Sequence, residues 1–155
     1  MPDAAQPARP PRAISAIVLG AGARDNVYGN FALAYPDHLS IAGVAEPSAL
    51  RREGYAERYG IETSNQYSDW HDVFGRPKFA DAIIVSTPDH LHVAPCMAAL
   101  DAGYDLLLEK PIALTDAECR TRLARARECG RTVAWCHVLR YAPYSVYMRN
   151  LIRSG

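Results

Sequence analysis

Ile14-Ser15-Ala16-Ile17-Val18-Leu19-Gly20-Ala21-Gly22 is an apolar, partly β-branched run that breaks into a glycine turn. It predicts a strand over Ile14 to Leu19 and, after the turn, a helix from about Asp25 to Tyr35. Pro36 ends that helix because the residue before proline avoids helical angles. A glycine motif alone is weak; a strand before it and a helix after it make it informative. Gly20 permits the tight turn, Gly22 lets backbone approach a pyrophosphate, and the helix N-terminus offers unpaired N–H groups at a positive dipole end. The third position of G-x-G-x-x-G holds Asp25. Its carboxylate repels phosphate unless it turns aside as a helix cap, and Arg24 beside it is an offsetting charge.

Outward from this turn, short β-branched runs alternate with longer Ala-, Arg- and Glu-rich segments, the pattern of repeated βαβ units. Ser40 to Ala45 is the second expected strand. Ser48 is placed to cap a helix reaching Tyr59, and Gly60 supplies the left-handed residue after it. Asn65 to Tyr67 reads as a brief third strand, Asp69 to Phe74 as a helical turn, and Asp81 to Ser86 as a fourth strand apolar enough to be covered on both faces. A helix from about Leu91 to Ala102, a strand from Asp105 to Glu109, a Thr115-capped helix from Asp116 to Cys129 and a sixth strand from Thr132 to Val138 complete the series. Six strands joined by right-handed crossovers make an α/β fold, a doubly wound parallel sheet of the Rossmann type.

The chain has 155 residues, and a domain of about 150 buries roughly 68–70% of its unfolded surface, enough for an unaided core. Seventeen basic residues balance 17 acidic ones, which argues against nucleic acid or an anionic membrane and leaves a small molecule as the expected partner. No apolar run approaches the roughly 20 residues of a membrane helix. Cys96, Cys119, Cys129 and Cys136 show no C-x-x-C spacing, as expected of a reduced, cytoplasmic protein. Residues 1–12 are Pro- and Ala-rich and are expected to form a disordered tail, residues 13–143 the dinucleotide-binding domain, and residues 144–155 the start of a further helix. In that last segment Tyr144, Tyr147, Met148, Leu151 and Ile152 recur at helical spacing. The apolar face they form predicts self-association.

In an open parallel sheet, ligands sit in the crevice at the carboxyl ends of the strands, so the strand ends carry the functional argument. Glu46 closes strand two, 26 residues after Gly20, where a carboxylate accepts hydrogen bonds from adenosine ribose hydroxyls. That favours NAD over NADP, although Arg51 and Arg52 lie close enough to accommodate a 2′-phosphate. Adenosylmethionine-dependent methyltransferases also pair a glycine turn with an acidic strand end, and at this point both readings stand. Three later strand ends discriminate: Ser86-Thr87-Pro88-Asp89-His90-Leu91-His92, Leu108-Glu109-Lys110-Pro111, and His137-Val138-Leu139-Arg140-Tyr141.

Together with the first turn, these motifs resemble the N-terminal half of the glucose-fructose oxidoreductase and inositol dehydrogenase family, Gfo/Idh/MocA, over residues 13–155. The resemblance implies NAD(P)-dependent transfer of hydride to or from a sugar, polyol or related hydroxyl or carbonyl compound. Lys110 is then the catalytic lysine beside nicotinamide and substrate, preceded by Glu109, with Pro111 often following a cis bond. Thr87, Pro88 and His92 match the T-P-x-x-x-H loop that lines the cofactor, and Arg140 matches the arginine near the pocket. With Gly20, Gly22, Arg24 and Glu46 these residues make up the expected cofactor site. His90-x-His92 has no cluster of further ligands at metal-binding spacing, so no metal is expected. Family enzymes also carry a second α/β domain with an Asp and a His near the substrate. No carboxylate follows Glu128 and no histidine follows His137, so that part is absent and weak or no turnover is expected. A non-catalytic NAD-binding or interaction module is the alternative.

Overall fold

The computed structural model describes residues 12–155, and the expected tail falls outside them except for Arg12. Arg12 is anchored, its Nη1 donating to Asp81 Oδ2 at 2.6 Å. The first half of the chain runs β1 (Ile14–Leu19), α1 (Ala23–Ala34), β2 (Leu39–Ala45), α2 (Ala49–Tyr59), β3 (Gln66–Tyr67) and β4 (Ala82–Val85). The second runs α3 (Val93–Asp101), β5 (Asp105–Leu108), α4 (Asp116–Glu128), β6 (Val133–Trp135), α5 (Val138–Tyr141) and α6 (Pro143–Ser154). Every strand pairing is parallel, in the order β3-β2-β1-β4-β5-β6. The order reverses between β1 and β4, which opens a crevice at their carboxyl ends.

Alternation along β1 feeds two cores. Ile17 and Leu19 face one layer with Ile83, Val85, Leu106 and Leu108, covered by Cys96, Ala99 and Leu100 of α3 and Ala126 of α4. Ala16 and Val18 face the other with Val44 and Ile84, covered by Tyr55 and Ala56 of α2. A strand buried on both faces needs apolar side chains throughout, which is why β1 and β4 read as continuous apolar runs.

The helix ends follow local chemistry with one departure. Gly60 and Gly130 take left-handed φ of 70° and 62° after α2 and α4. Thr115 Oγ1 accepts from the Glu118 amide at 3.2 Å while Glu118 Oε2 accepts from the Thr115 amide, a reciprocal cap. Ser48 occupies the capping position of α2, but its hydroxyl makes no cap; its amide instead donates to Glu46 Oε1 at 3.0 Å. β6 is shorter than expected. It is an edge strand paired only with β5, and past Cys136 the backbone turns into α5 instead of extending to Val138. Among the described residues no helix is long and apolar enough to cross a membrane.

Candidate functional site at the carboxyl edge of the sheet

Gly20 has a φ of 119°, and a Cβ there would sit 3.1 Å from Asp25 Oδ2 and 3.2 Å from the Ser86 carbonyl, so the turn excludes any other residue. Asp25 does turn aside as a cap: Oδ2 accepts from the Gly22 amide at 2.8 Å, and this draws α1 back to Ala23, two residues before its expected start. The side chain is 1% exposed. Burial pushes its carboxyl up to about 6, against the opposing hydrogen bonds from Ser86 and the Gly22 amide. Glu46 is also turned inward, with Oε2 accepting from the Ala21 amide at 3.0 Å and Oε1 from the Ser48 amide. Two amides of the glycine turn are therefore held by carboxylates of the chain itself.

At the end of β5, Glu109 accepts from the Tyr28 hydroxyl and pairs with Arg24 Nε at 3.0 Å. Burial pushes the Glu109 carboxyl up, but the hydrogen bonds from Tyr28 and Cys136 and the charge of Arg24 outweigh it and hold it below its ordinary value. Tyr28 moves the other way, its phenol raised by burial and by Cys136 and Glu109. Glu109 thus serves as an anchor for Arg24. Neither Tyr28 nor Cys136 was expected from the sequence. The spacing of Arg24 and Tyr28, four apart on α1 and so on one helical face, was the available signal for the first.

His92 is 1% exposed, with Nε2 2.6 Å from the Thr87 carbonyl and Nδ1 3.1 Å from the Pro111 carbonyl. It starts α3, as expected, and through these two carbonyls joins the loops after β4 and β5. The Lys110-Pro111 peptide bond is cis. Lys110 itself is exposed and lines a pocket of about 580 Å³ with Arg24, Cys136, His137, Leu139 and Arg140. The expected site residues thus fall into three adjoining groups: Gly20, Gly22 and Glu46 at the turn; Thr87, Pro88, His92 and Pro111 around the histidine; Arg24, Glu109, Lys110 and Arg140 about the pocket. No group of three or more His, Cys, Asp or Glu is placed to hold a metal among the described residues.

The sequence profile of a family described as "Oxidoreductase family, NAD-binding Rossmann fold" matches residues 14–137. The chain belongs to the Gfo/Idh/MocA oxidoreductase family. It is 35% identical over 115 residues to 1,5-anhydro-D-fructose reductase from Ensifer adhaerens, a match covering 74% of this chain and 34% of the relative. It is 29% identical over 118 residues to inositol 2-dehydrogenase from Salmonella typhimurium, covering 76% and 34%. The WlbA dehydrogenase from Bordetella pertussis, solved in complex with NADH and UDP-GlcNAcA, superposes with a TM-score of 0.82 at 18% identity, over 93% of this chain and 42% of that one. The Gfo/Idh/MocA chain described here thus spans about a third of the length of the curated relatives it matches.

NAD, the cofactor of this Rossmann family, fits the residues present. Thr87 Oγ1, just past the end of β4, is buried without a hydrogen-bond partner among the described residues, which suits a polar ligand lying along this edge.

Proposed function

We propose that this Gfo/Idh/MocA domain holds NAD across the switch point between β1 and β4 and serves hydride transfer between the nicotinamide and a sugar or polyol. NAD, when bound, supplies the hydride-exchanging ring. The chain's own residues do the rest. Glu46, at the end of β2, accepts hydrogen bonds from the adenosine ribose with lone pairs that the Ala21 and Ser48 amides leave free, which favours NAD over the 2′-phosphorylated form. Thr87 and Pro88 border the cofactor, and the Arg24 guanidinium, fixed by Glu109, faces the pocket. The Lys110 ammonium binds the reacting oxygen of the substrate. As the ammonium it gives that oxygen a proton when a carbonyl is reduced, and as the neutral amine it takes the proton of a hydroxyl being oxidised. Arg140 and His137 bind further substrate oxygens.

The observation that carries this reading is the single pocket into which the ends of β5 and β6 and the start of α1 bring Lys110, His137, Arg140 and Arg24. Calorimetric titration with NAD, NADP and adenosylmethionine tests it. We expect NAD to bind tightest and Lys110→Ala to leave its affinity within about threefold; preference for adenosylmethionine overturns the reading. Little or no turnover of sugars is expected from the chain alone, and its four free cysteines suit the cytoplasm.

A second reading, a non-catalytic NAD-binding or interaction module, draws on α6, where Tyr144, Tyr147, Leu151 and Ile152 are exposed. It calls for self-association through residues 144–152, measured by sedimentation, and for no hydride transfer when a second domain from a relative is supplied.

A further inference from the structure

The pocket at the carboxyl edge carries charge of one sign. Arg24, Lys110 and Arg140 line it, Val138 and Leu139 give it apolar wall, and no Asp or Glu is among its lining residues. The three cations are not equivalent. Arg24 is balanced by its pair with Glu109 at 3.0 Å. Lys110 Nζ and the Arg140 guanidinium make no hydrogen bond or ion pair among the described residues. The segment after α4 does not balance them either, since it holds no Asp or Glu from Cys129 to Gly155 while Arg149 and Arg153 add positive charge on α6.

A cleft lined by one sign of charge between apolar walls concentrates ions of the opposite sign. Its volume of about 580 Å³ is that of a small-molecule site. Lys110 exchanges its proton with the reacting oxygen, so Arg140 is the permanent charge left to balance. A guanidinium is a planar fork that meets a carboxylate through two parallel hydrogen bonds. One carboxylate supplies the single negative charge required, whereas a phosphate monoester carries nearly two near neutral pH. We propose, on the reading of this pocket as the substrate site, that its substrate is a sugar acid, an aldonate or uronate: Arg140 holds the carboxylate while the carbon to be oxidised or reduced lies at Lys110. A neutral sugar of the same shape leaves Arg140 unpaired and binds more weakly.

D-glucuronate and D-glucose differ in one group, a carboxylate against a hydroxymethyl, and so isolate the charge. Each is titrated into the full chain with and without saturating NAD, and binding is followed by amide shifts in nuclear magnetic resonance. Glucuronate should bind about tenfold more tightly than glucose, the size of one charge-assisted contact. Arg140→Gln should reduce that ratio to about twofold, and Arg140→Lys, which keeps the charge without the fork, should fall between. Arg140 is exposed, so both variants should fold as the wild type does. Arg153→Gln, on α6 and outside the pocket, should leave the ratio unchanged. Glucuronate that binds no more tightly than glucose, or not measurably, overturns the proposal. So does an equal loss in Arg153→Gln, which would mean that general charge holds the anion, or tighter binding of D-glucose 6-phosphate than of glucuronate. Failure of NAD to bind would sink the reading of the crevice, and the ratio measured without NAD would still decide the charge of the substrate.

Discussion

Arg24 Nε and Glu109 lie 3.0 Å apart at the carboxyl edge of the sheet, joining the first turn of α1 to the end of β5. Glu109 is nearly enclosed and Arg24 more than a third exposed, so removing either is not symmetrical. Glu109→Gln leaves a guanidinium that water can still reach, whereas Arg24→Ala leaves a buried carboxylate without its counter-charge, held by the Tyr28 hydroxyl and the Cys136 thiol. We expect Arg24→Ala to cost about 1–2 kcal/mol in urea unfolding and Glu109→Gln less, because water screens the exposed partner. In Arg24→Ala the Glu109 carboxyl loses one of the influences that lower it, so acid unfolding should begin at higher pH than in wild type. A larger loss in Glu109→Gln would show that Arg24 is not the dependent partner.

Gly29 marks where α1 and α2 touch. A Cβ at this position would come within 2.6 Å of the Tyr59 ring, and that ring is held by its hydroxyl, which donates toward Asn26 and Asn30. Alanine ordinarily favours a helix over glycine by about 1 kcal/mol. Here the overlap should prevail. Gly29→Ala is expected to destabilise the protein by about 1–3 kcal/mol, read from the urea midpoint at unchanged slope. Combination with Tyr59→Ala should restore most of the loss.

Glu46 uses both carboxylate oxygens, one for the Ala21 amide and one for the Ser48 amide. A glutamine offers a single acceptor oxygen, so Glu46→Gln strands one of these amides and should cost about 1–2 kcal/mol. It also removes the charge that disfavours a 2′-phosphate. Calorimetry should therefore find NAD weakened about tenfold, equivalent to about 1.4 kcal/mol, and the ratio of NAD to NADP affinity reduced. An unchanged ratio would remove Glu46 from the ribose site.

Much of this organisation was legible because it is local. The strand, glycine turn and helix from Ile14 onward, the left-handed Gly60 and Gly130, and the Thr115 cap each depend on residues within a few positions of one another. What could not be read needed distant partners. Glu109 anchors Arg24 only because Tyr28 and Arg24 on α1 meet a strand end more than eighty residues later. His92 spans two carbonyls from different loops, and no sequence pattern places both. Ser48 has a capping residue's chemistry, but Glu46, two residues earlier, takes its amide. The end of β6 depends on pairing with β5 alone, so its apolar residues overstate its length.

Asp25 gives the sharpest dependence on pH. Burial raises its carboxyl to about 6 in the folded protein, against an ordinary value near 3.9. The folded state thus holds this proton more tightly than the unfolded chain does. Its contribution to stability is fully present below pH of about 4 and is lost as pH rises through 6, a change of roughly 3 kcal/mol. Glu109 acts in the opposite sense and at lower pH: its carboxyl is lowered, so its contribution is present above about pH 4.3 and lost only on further acidification. The two windows separate. Asp25→Asn keeps an oxygen to accept from the Gly22 amide and carries no charge, so the variant should match wild type near pH 4 and exceed it at pH 7.5 by most of that amount. Urea unfolding of both proteins from pH 4 to 8 measures the difference. Removing a negative charge beside the pyrophosphate turn should also make NAD affinity in the wild type rise on acidification from pH 7.5 to 5.5, while Asp25→Asn binds with little dependence on pH over that range. Parallel stability curves for the two proteins would mean that the Asp25 carboxylate is solvated in the folded state and that its cap on Gly22 is open.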